Sequence, residues 1–164
     1  MDCGIFVYAI VEVMNMKLTQ KETTLLKDLK ASEELCIEKY GTYAERAEDP
    51  ELKALFETIR TAELQHLSTI ESLMQGTVPM MGGGQQSGEA SACCGGCEKK
   101  ASRNDEFLCH DALDTEKHVS SLYDTCIFEF TDAGARDALN HIQKEEQEHG
   151  KRLYDYMSCH GMCA

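Results

Sequence analysis

The segment Ile59–His66 reads IRTAELQH, and in the second half of the chain the segment Ile142–His149 reads IQKEEQEH. Each contains a Glu-x-x-His motif, whose spacing of three returns both side chains to one face of a helix. A single such motif in a chain with 29 acidic residues carries little information. Two copies at a long interval instead suggest an internal repeat, which the rest of the chain can test.

The same interval that separates the two motifs also separates other pairs of identical residues in the two halves of the chain. We call two residues equivalent when they are separated by the same interval as Ile59 and Ile142. Equivalent residues of the same type occur without any gap, including the pairs Leu25/Leu108, Glu33/Glu116, Tyr40/Tyr123, Asp49/Asp132, Glu63/Glu146 and Met74/Met157. Several of them are polar but lie on apolar helical stripes, where packing alone does not select acids. The sequence therefore predicts that one architecture occurs twice.

Apolar residues recur at spacings of three and four in four segments, which is typical of amphipathic helices. Thr19 and Glu22 have the spacing of a capping box, so the first helix is predicted to begin near Thr19. Asp49 followed by Pro50 predicts the start of the second helix, and Asp132 that of the fourth. Each predicted inward stripe contains a glutamate, namely Glu33, Glu63, Glu116 and Glu146.

These elements predict an all-α four-helix bundle made of two antiparallel hairpins joined by a long crossover linker. Between the hairpins the helical pattern gives way to Gly, Ser, Gln and Cys. The expected divisions are an N-terminal extension 1–18, a first hairpin 19–75, a linker 76–104, a second hairpin 105–157 and a tail 158–164. The bundle as a whole is expected to cover 19–157.

Six side chains are predicted to meet at one level of this bundle. The midpoint between Glu33 and Glu63 is residue 48, beside the predicted turn, and the midpoint between Glu116 and Glu146 is residue 131. Each hairpin therefore places a lone glutamate opposite a Glu-x-x-His motif. The candidate metal ligands are Glu33, Glu63, His66, Glu116, Glu146 and His149.

Four buried carboxylates require compensating charge, because each loses several kcal/mol of hydration inside a protein. Two divalent cations balance four carboxylates, and a mixed carboxylate and imidazole ligand set suits iron or manganese better than the thiolate sets of structural zinc do. Protonation of the carboxylates is the alternative. The sequence indicates no other catalytic residue and no organic cofactor.

Tyr40 and Tyr123 each lie two helical turns after a candidate ligand. Their hydroxyl groups are candidates to hydrogen-bond the carboxylates of the cluster. The alternative is that both rings fill the core and bond water or backbone.

The six ligands on four helices resemble those of the ferritin-like superfamily, in the branch of rubrerythrin and bacterioferritin. The resemblance implies that Glu63 and Glu146 bridge two metals, while Glu33 with His66 and Glu116 with His149 complete the outer positions. It also implies a di-iron peroxidase or ferroxidase, acting on peroxide or oxygen with an unidentified electron donor. Rubrerythrins carry a further glutamate where this chain has Val119, and a rubredoxin-like domain with two Cys-x-x-Cys knuckles, whereas this chain has a single Cys-x-x-Cys spacing, at Cys94 and Cys97.

The second half is also similar to the Coat F family of spore coat proteins, through the segments Thr115–Val119, Ile142–His149 and Tyr156–Met157. This resemblance implies the alternative function, a structural coat component in which the metal site is structural or vestigial. The two resemblances are compatible, because a coat protein can be built from a ferritin-like bundle.

The amino-acid composition of the chain restricts the binding partners that can be expected. A net charge of −13 argues against binding nucleic acid or an anionic membrane, and no apolar run approaches the ~20 residues of a membrane span. No signal-peptide pattern opens the chain, so a cytoplasmic or spore coat location is expected, with a homodimer or a coat assembly as the oligomer. The thiols are expected to be reduced, and metal or redox roles for Cys93, Cys94, Cys97, Cys159 and Cys163 stay open.

Overall fold

The computed structural model describes residues 16–79 and 101–162. These residues form four α-helices, α1 (Gln20–Arg46), α2 (Pro50–Met74), α3 (Arg103–Glu129) and α4 (Ala133–Cys159). The prediction of an all-α bundle is confirmed. No helix within the described ranges combines the length and the apolarity needed to span a membrane.

Each helix begins at a side chain that accepts a hydrogen bond from a free backbone N–H group. Thr19 and Glu22 form a complete capping box at the start of α1. The capping residues of the next three helices, in chain order, are Asp49, Ser102 and Asp132. The repeat therefore reproduces the helix starts as well as the inward stripes, since Ser102 is the residue equivalent to Thr19.

The helices pair as two hairpins, α1 with α2 and α3 with α4, and the hairpins pack through α1 against α3 and α2 against α4. Two contacts show that α1 and α3 are antiparallel: Asn104 donates a hydrogen bond to the Arg46 carbonyl, and Thr131 donates its backbone N–H to Glu22. The C-terminal end of α2 and the start of α3 therefore lie at opposite ends of the bundle. These two helix ends are therefore separated by the length of the bundle, about 40 Å.

The hairpins are also joined through two buried acids. Glu22, in the first turn of α1, accepts a hydrogen bond of 3.1 Å from the backbone of Thr131 in the α3–α4 loop. Asp105, the equivalent residue in α3, accepts hydrogen bonds from the backbone of Glu48 and Asp49 in the α1–α2 loop. Each hairpin therefore holds the loop of the other, and this fixes the relative height of the helices.

The core is a continuous set of apolar side chains along the predicted stripes. Ile59 and Ile142 lie one turn before the two Glu-x-x-His motifs, and Ile70 and Leu153 lie one turn after the histidines. All four are at most 1% exposed. Apolar layers therefore close the bundle above and below the level of the six polar residues.

The cysteines differ in state. Cys36, Cys109 and Cys126 are free and buried, as expected. Cys159 is disulfide-bonded, which corrects the expectation of a reduced thiol at this position. Cys93, Cys94, Cys97 and Cys163 lie outside the described residues, as do most of the extension 1–18 and most of the linker 76–104.

Candidate metal centre

The structure brings all six predicted ligands together in the middle of the bundle. They come from all four helices, and the most exposed of them, His149, exposes only 4% of its surface. Because Glu33 and Glu63 are equally distant from the α1–α2 loop, they reach the same level of the antiparallel hairpin. The second hairpin does the same with Glu116 and Glu146.

Glu63 and Glu146 lie between the two imidazole rings. Glu63 directs Oε2 to Nδ1 of His66 at 3.2 Å and Oε1 to Nδ1 of His149 at 3.1 Å. Glu146 directs Oε1 to Nδ1 of His66 at 3.1 Å and Oε2 to Nδ1 of His149 at 3.6 Å. Each of these carboxylates thus offers one oxygen to each half of the cluster, which is the arrangement of a bridging ligand.

Glu33 and Glu116 lie at the two outer sides of the cluster. Oε2 of Glu33 is 3.8 Å from Nδ1 of His66, and Oε2 of Glu116 is 3.4 Å from Nδ1 of His149. The result is two groups of four residues that share the central pair, and within each group the candidate ligand atoms lie within 4.8 Å of one another. We name them the His66 group (Glu33, Glu63, His66, Glu146) and the His149 group (Glu63, Glu116, Glu146, His149).

The two tyrosines each contact a glutamate of the other hairpin. The hydroxyl of Tyr40 in α1 donates a hydrogen bond to Glu116 in α3, and the hydroxyl of Tyr123 in α3 donates to Glu33 in α1. Both rings are fully buried. The hydroxyls therefore hold one oxygen of each outer glutamate and leave the other oxygen directed to the cluster.

Glu145 is a further side chain at the cluster, and the helical spacing did not predict it. Its Oε2 atom is 3.0 Å from Nε2 of His66, on the side of the ring that faces away from the other carboxylates. Glu145 directly precedes Glu146 in α4. The run of two acids before Gln147 was the available signal, but spacing along α4 cannot show that a residue reaches a ring on α2.

Several buried atoms of the cluster make no hydrogen bond. They are Oε2 of Glu33, Oε1 of Glu63, Oε2 of Glu116, both carboxylate oxygens of Glu146 and Nδ1 of His149. Unpaired buried polar atoms are rare because each one costs the free energy of its lost hydration. Their convergence on the two groups fits atoms that are placed to bind cations.

The pKa values of the carboxyl and imidazole groups in the cluster indicate which of them hold protons in the absence of metal. Burial raises the pKa of Glu33 to about 10 and that of Glu116 to about 8. Burial would also raise the pKa of Glu63, but the imidazoles of His149 and His66, each within 3.2 Å of one of its oxygens, outweigh burial and leave the pKa below its ordinary value. For the histidines burial acts to lower the pKa, and the surrounding carboxylates outweigh it and raise both values.

Raised pKa values on Glu33 and Glu116 keep these two carboxyl groups protonated, and raised pKa values on both imidazoles favour their charged forms, so the charges in the metal-free cluster largely offset one another. Two divalent cations would balance four carboxylates in the same space if the protons left. The donor set therefore fits a metal pair, and binding of that pair requires the release of protons.

Cys36 lies one turn after Glu33 on the same buried stripe. Burial raises the pKa of its thiol, so the sulfur stays protonated and is a poor ligand. Neither candidate group contains it. The equivalent residue of the second hairpin is Val119, and both side chains serve as small apolar neighbours of the site.

Comparisons with known proteins agree with this architecture. Residues 104–164 match the model of the Coat F domain. In structure, the chain is similar to a two-domain protein from Anabaena variabilis that contains DJ-1/ThiJ/PfpI-like and ferritin-like domains, with a TM-score of 0.67 and 17% sequence identity. The match covers 91% of this chain and 39% of that protein. A search of curated proteins found no significant match.

The structural likeness concerns the fold alone at this level of identity. The Coat F match covers α3 and α4 and includes Glu116, Glu146 and His149, the ligands supplied by the second hairpin. The chain therefore folds as a ferritin-like four-helix bundle, and its second half is similar to the Coat F domain.

Proposed function

We propose that the protein binds two divalent metal ions, one in the His66 group and one in the His149 group. The observation that supports this most directly is the position of Glu63 and Glu146, each of which presents one oxygen to each imidazole. A carboxylate with this orientation serves two neighbouring cations. A single ion would leave half of these oxygens without a partner in the core.

Iron is the metal that we propose, with manganese as the alternative. The ligands are carboxylates and imidazoles without a thiolate, a set that suits both ions and differs from the thiolate sets of many structural zinc sites. The fold supports the same choice, because ferritin-like bundles with paired Glu-x-x-His motifs hold di-iron or di-manganese centres.

We propose redox chemistry with peroxide or oxygen as the activity. A reduced di-iron centre supplies two electrons, one from each ion, which is the number that converts peroxide to water. The protein's own residues keep the site dry through the isoleucine and leucine layers and hold the outer glutamates through Tyr40 and Tyr123. Repeated turnover requires an external electron donor.

The Coat F match favours a second candidate function. In this alternative the bundle is a building block of a spore coat, and the metal pair stabilises it without turnover. We propose the spore coat as the location and self-association, as a homodimer or within the coat, as the mode of assembly. Both candidate functions use the same metal centre and differ in its reactivity.

Anaerobic loading with Fe²⁺ followed by rapid mixing with peroxide separates the two. The proposed enzyme retains about two irons per chain after desalting and shows a fast optical change on oxidation. Retention of iron without this change favours the coat function. Failure to retain iron at neutral pH contradicts the metal proposal itself.

Two variants make the measurement specific. Glu63→Gln combined with Glu146→Gln keeps the size of both bridging side chains but removes their charge, and should abolish iron retention. Glu148→Ala is the matched control, since Glu148 lies on the same helix with its side chain in solvent. Iron that remains on the double variant would indicate a different site, such as the cysteines of the linker.

A further inference from the structure

His66 is held from both sides of its ring. Nδ1 faces Glu63, Glu146 and Glu33, while Nε2 lies 3.0 Å from Glu145. A ring that binds a metal through Nδ1 carries its proton on Nε2. Glu145 is placed to accept that proton in a hydrogen bond, which sets both the tautomer and the orientation of the ring.

Within the described residues 16–79 and 101–162, His149 has no such partner. Its Nδ1 also faces three carboxylates, so the two rings use the same atom towards the cluster. The residue equivalent to Glu145 in the first half is Ala62, which cannot accept a hydrogen bond. Among the residues that the structure describes, no carboxylate contacts Nε2 of His149. The repeat therefore preserves the six ligands and breaks at this neighbouring position.

We propose that Glu145 is a positioning residue that makes the two metal positions unequal. The ion in the His66 group binds first and more tightly, and the ion in the His149 group is the one that exchanges. The inference rests on the proposed metal pair. A carboxylate that accepts the outer N–H of a ligating histidine increases the basicity of the ligand and restricts its motion, and losing it lowers metal affinity about 10–100-fold.

Glu145 can be substituted without disturbing the packing of the core. Its side chain is 41% exposed, so removing it opens no cavity in the core. The described side chains that face its carboxylate are His66 and, at 3.6 Å, His141 one turn earlier on α4. A change in metal affinity on substitution would therefore report on His66 rather than on packing.

The experiment is an anaerobic calorimetric titration with Mn²⁺, which needs no turnover. The wild-type protein should bind in two steps whose affinities differ about 10–100-fold. Glu145→Ala should weaken the tight step by that factor and bring the two steps together, and Glu145→Gln, which keeps an acceptor without the charge, should lie between. Ala62→Glu should strengthen the weaker step. Glu148→Ala is the control and should change neither.

Nitrogen NMR of the imidazoles gives a second readout in the absence of metal. In the wild-type protein the signal of Nε2 of His66 should show a strong hydrogen bond, and Glu145→Ala should shift this signal while leaving that of His149 unchanged. Equal shifts at both histidines would overturn the proposal, because Glu145 would then act on the whole cluster.

The titration distinguishes this inference from the proposed function. If the wild-type protein binds no Mn²⁺, both fail. If it binds two ions but Glu145→Ala behaves like Glu148→Ala, the inference fails and the metal pair stands. Equal weakening of both steps by Glu145→Ala would also overturn the assignment of Glu145 to one position.

Discussion

The two hairpins supply the same ligands but surround them differently. Glu33 and His66 in the first hairpin are equivalent to Glu116 and His149 in the second. Around them the repeat breaks: Glu145 bonds His66 while Ala62 stands at the equivalent position for His149, and Cys36 in the first hairpin corresponds to Val119 in the second. The comparison shows that the ligand set is duplicated and that residues next to the ligands distinguish the two halves.

The largest expected loss of bound metal comes from substituting Glu63 and Glu146, the two residues that belong to both groups of ligands. Glu63→Gln combined with Glu146→Gln should remove both ions, because each group of four loses two charged ligands. Elemental analysis after anaerobic loading measures this, and helical circular dichroism shows whether the bundle persists. Retention of about one ion would show that the halves do not depend on a common bridge.

A smaller loss of bound metal is expected from substituting a glutamate that belongs to only one of the two groups of ligands. Glu33→Gln should remove the ion of the His66 group and Glu116→Gln that of the His149 group, leaving about one ion per chain in each case. If the His66 group is the tighter position, a Mn²⁺ titration of Glu116→Gln should retain the tight step and that of Glu33→Gln the weak one. The opposite result would reverse the order of the two halves.

The pH dependence of stability should also separate the halves. The pKa of Glu33 (about 10) and that of Glu116 (about 8) lie above the ordinary value of 4.5, so the folded metal-free protein holds protons that the unfolded chain releases. The contribution of each protonated group to the free energy of unfolding is therefore complete below about pH 4.5 and decreases as the pH rises. The decrease ends at about pH 8 for Glu116 and at about pH 10 for Glu33. Each contributes a slope of about 1.4 kcal/mol per pH unit.

Urea unfolding of the metal-free protein between pH 6 and 9.5 measures these slopes. Glu116→Gln should flatten the fall in stability only below about pH 8, and Glu33→Gln should flatten it across the whole range. Stability that rises with pH in the wild-type protein would contradict the protonated state of the cluster.

The smallest effect is expected from the tyrosines that connect the hairpins. Tyr40→Phe and Tyr123→Phe each leave a buried carboxyl oxygen without its donor, which costs about 1–3 kcal/mol in the free energy of unfolding. Chemical unfolding of the metal-free variants measures the loss, with the exposed Tyr154→Phe as the control. No loss in either buried variant would show that water replaces the hydroxyl at the outer glutamates.

The bundle and its inward residues could be predicted because their signals lie along single helices. The helix starts follow from caps such as Thr19 and Asp132, and the inward faces follow from spacings of three and four. The level of Glu33 and Glu63 follows from their distance to one turn. The state of Cys159 was not predicted correctly, because pairing of thiols depends on which residues meet in space.

The sequence by itself determined the four amphipathic helices, the duplicated hairpin and the six side chains that point inward, because helical periodicity and chain reversal act over short distances. Only the tertiary structure decided which residues of one hairpin contact which residues of the other. Tyr123 with Glu33, Glu145 with His66 and Asp105 with the α1–α2 loop connect residues that lie 56 to 90 positions apart. Such contacts depend on how one hairpin rotates against the other, and no local pattern specifies that rotation.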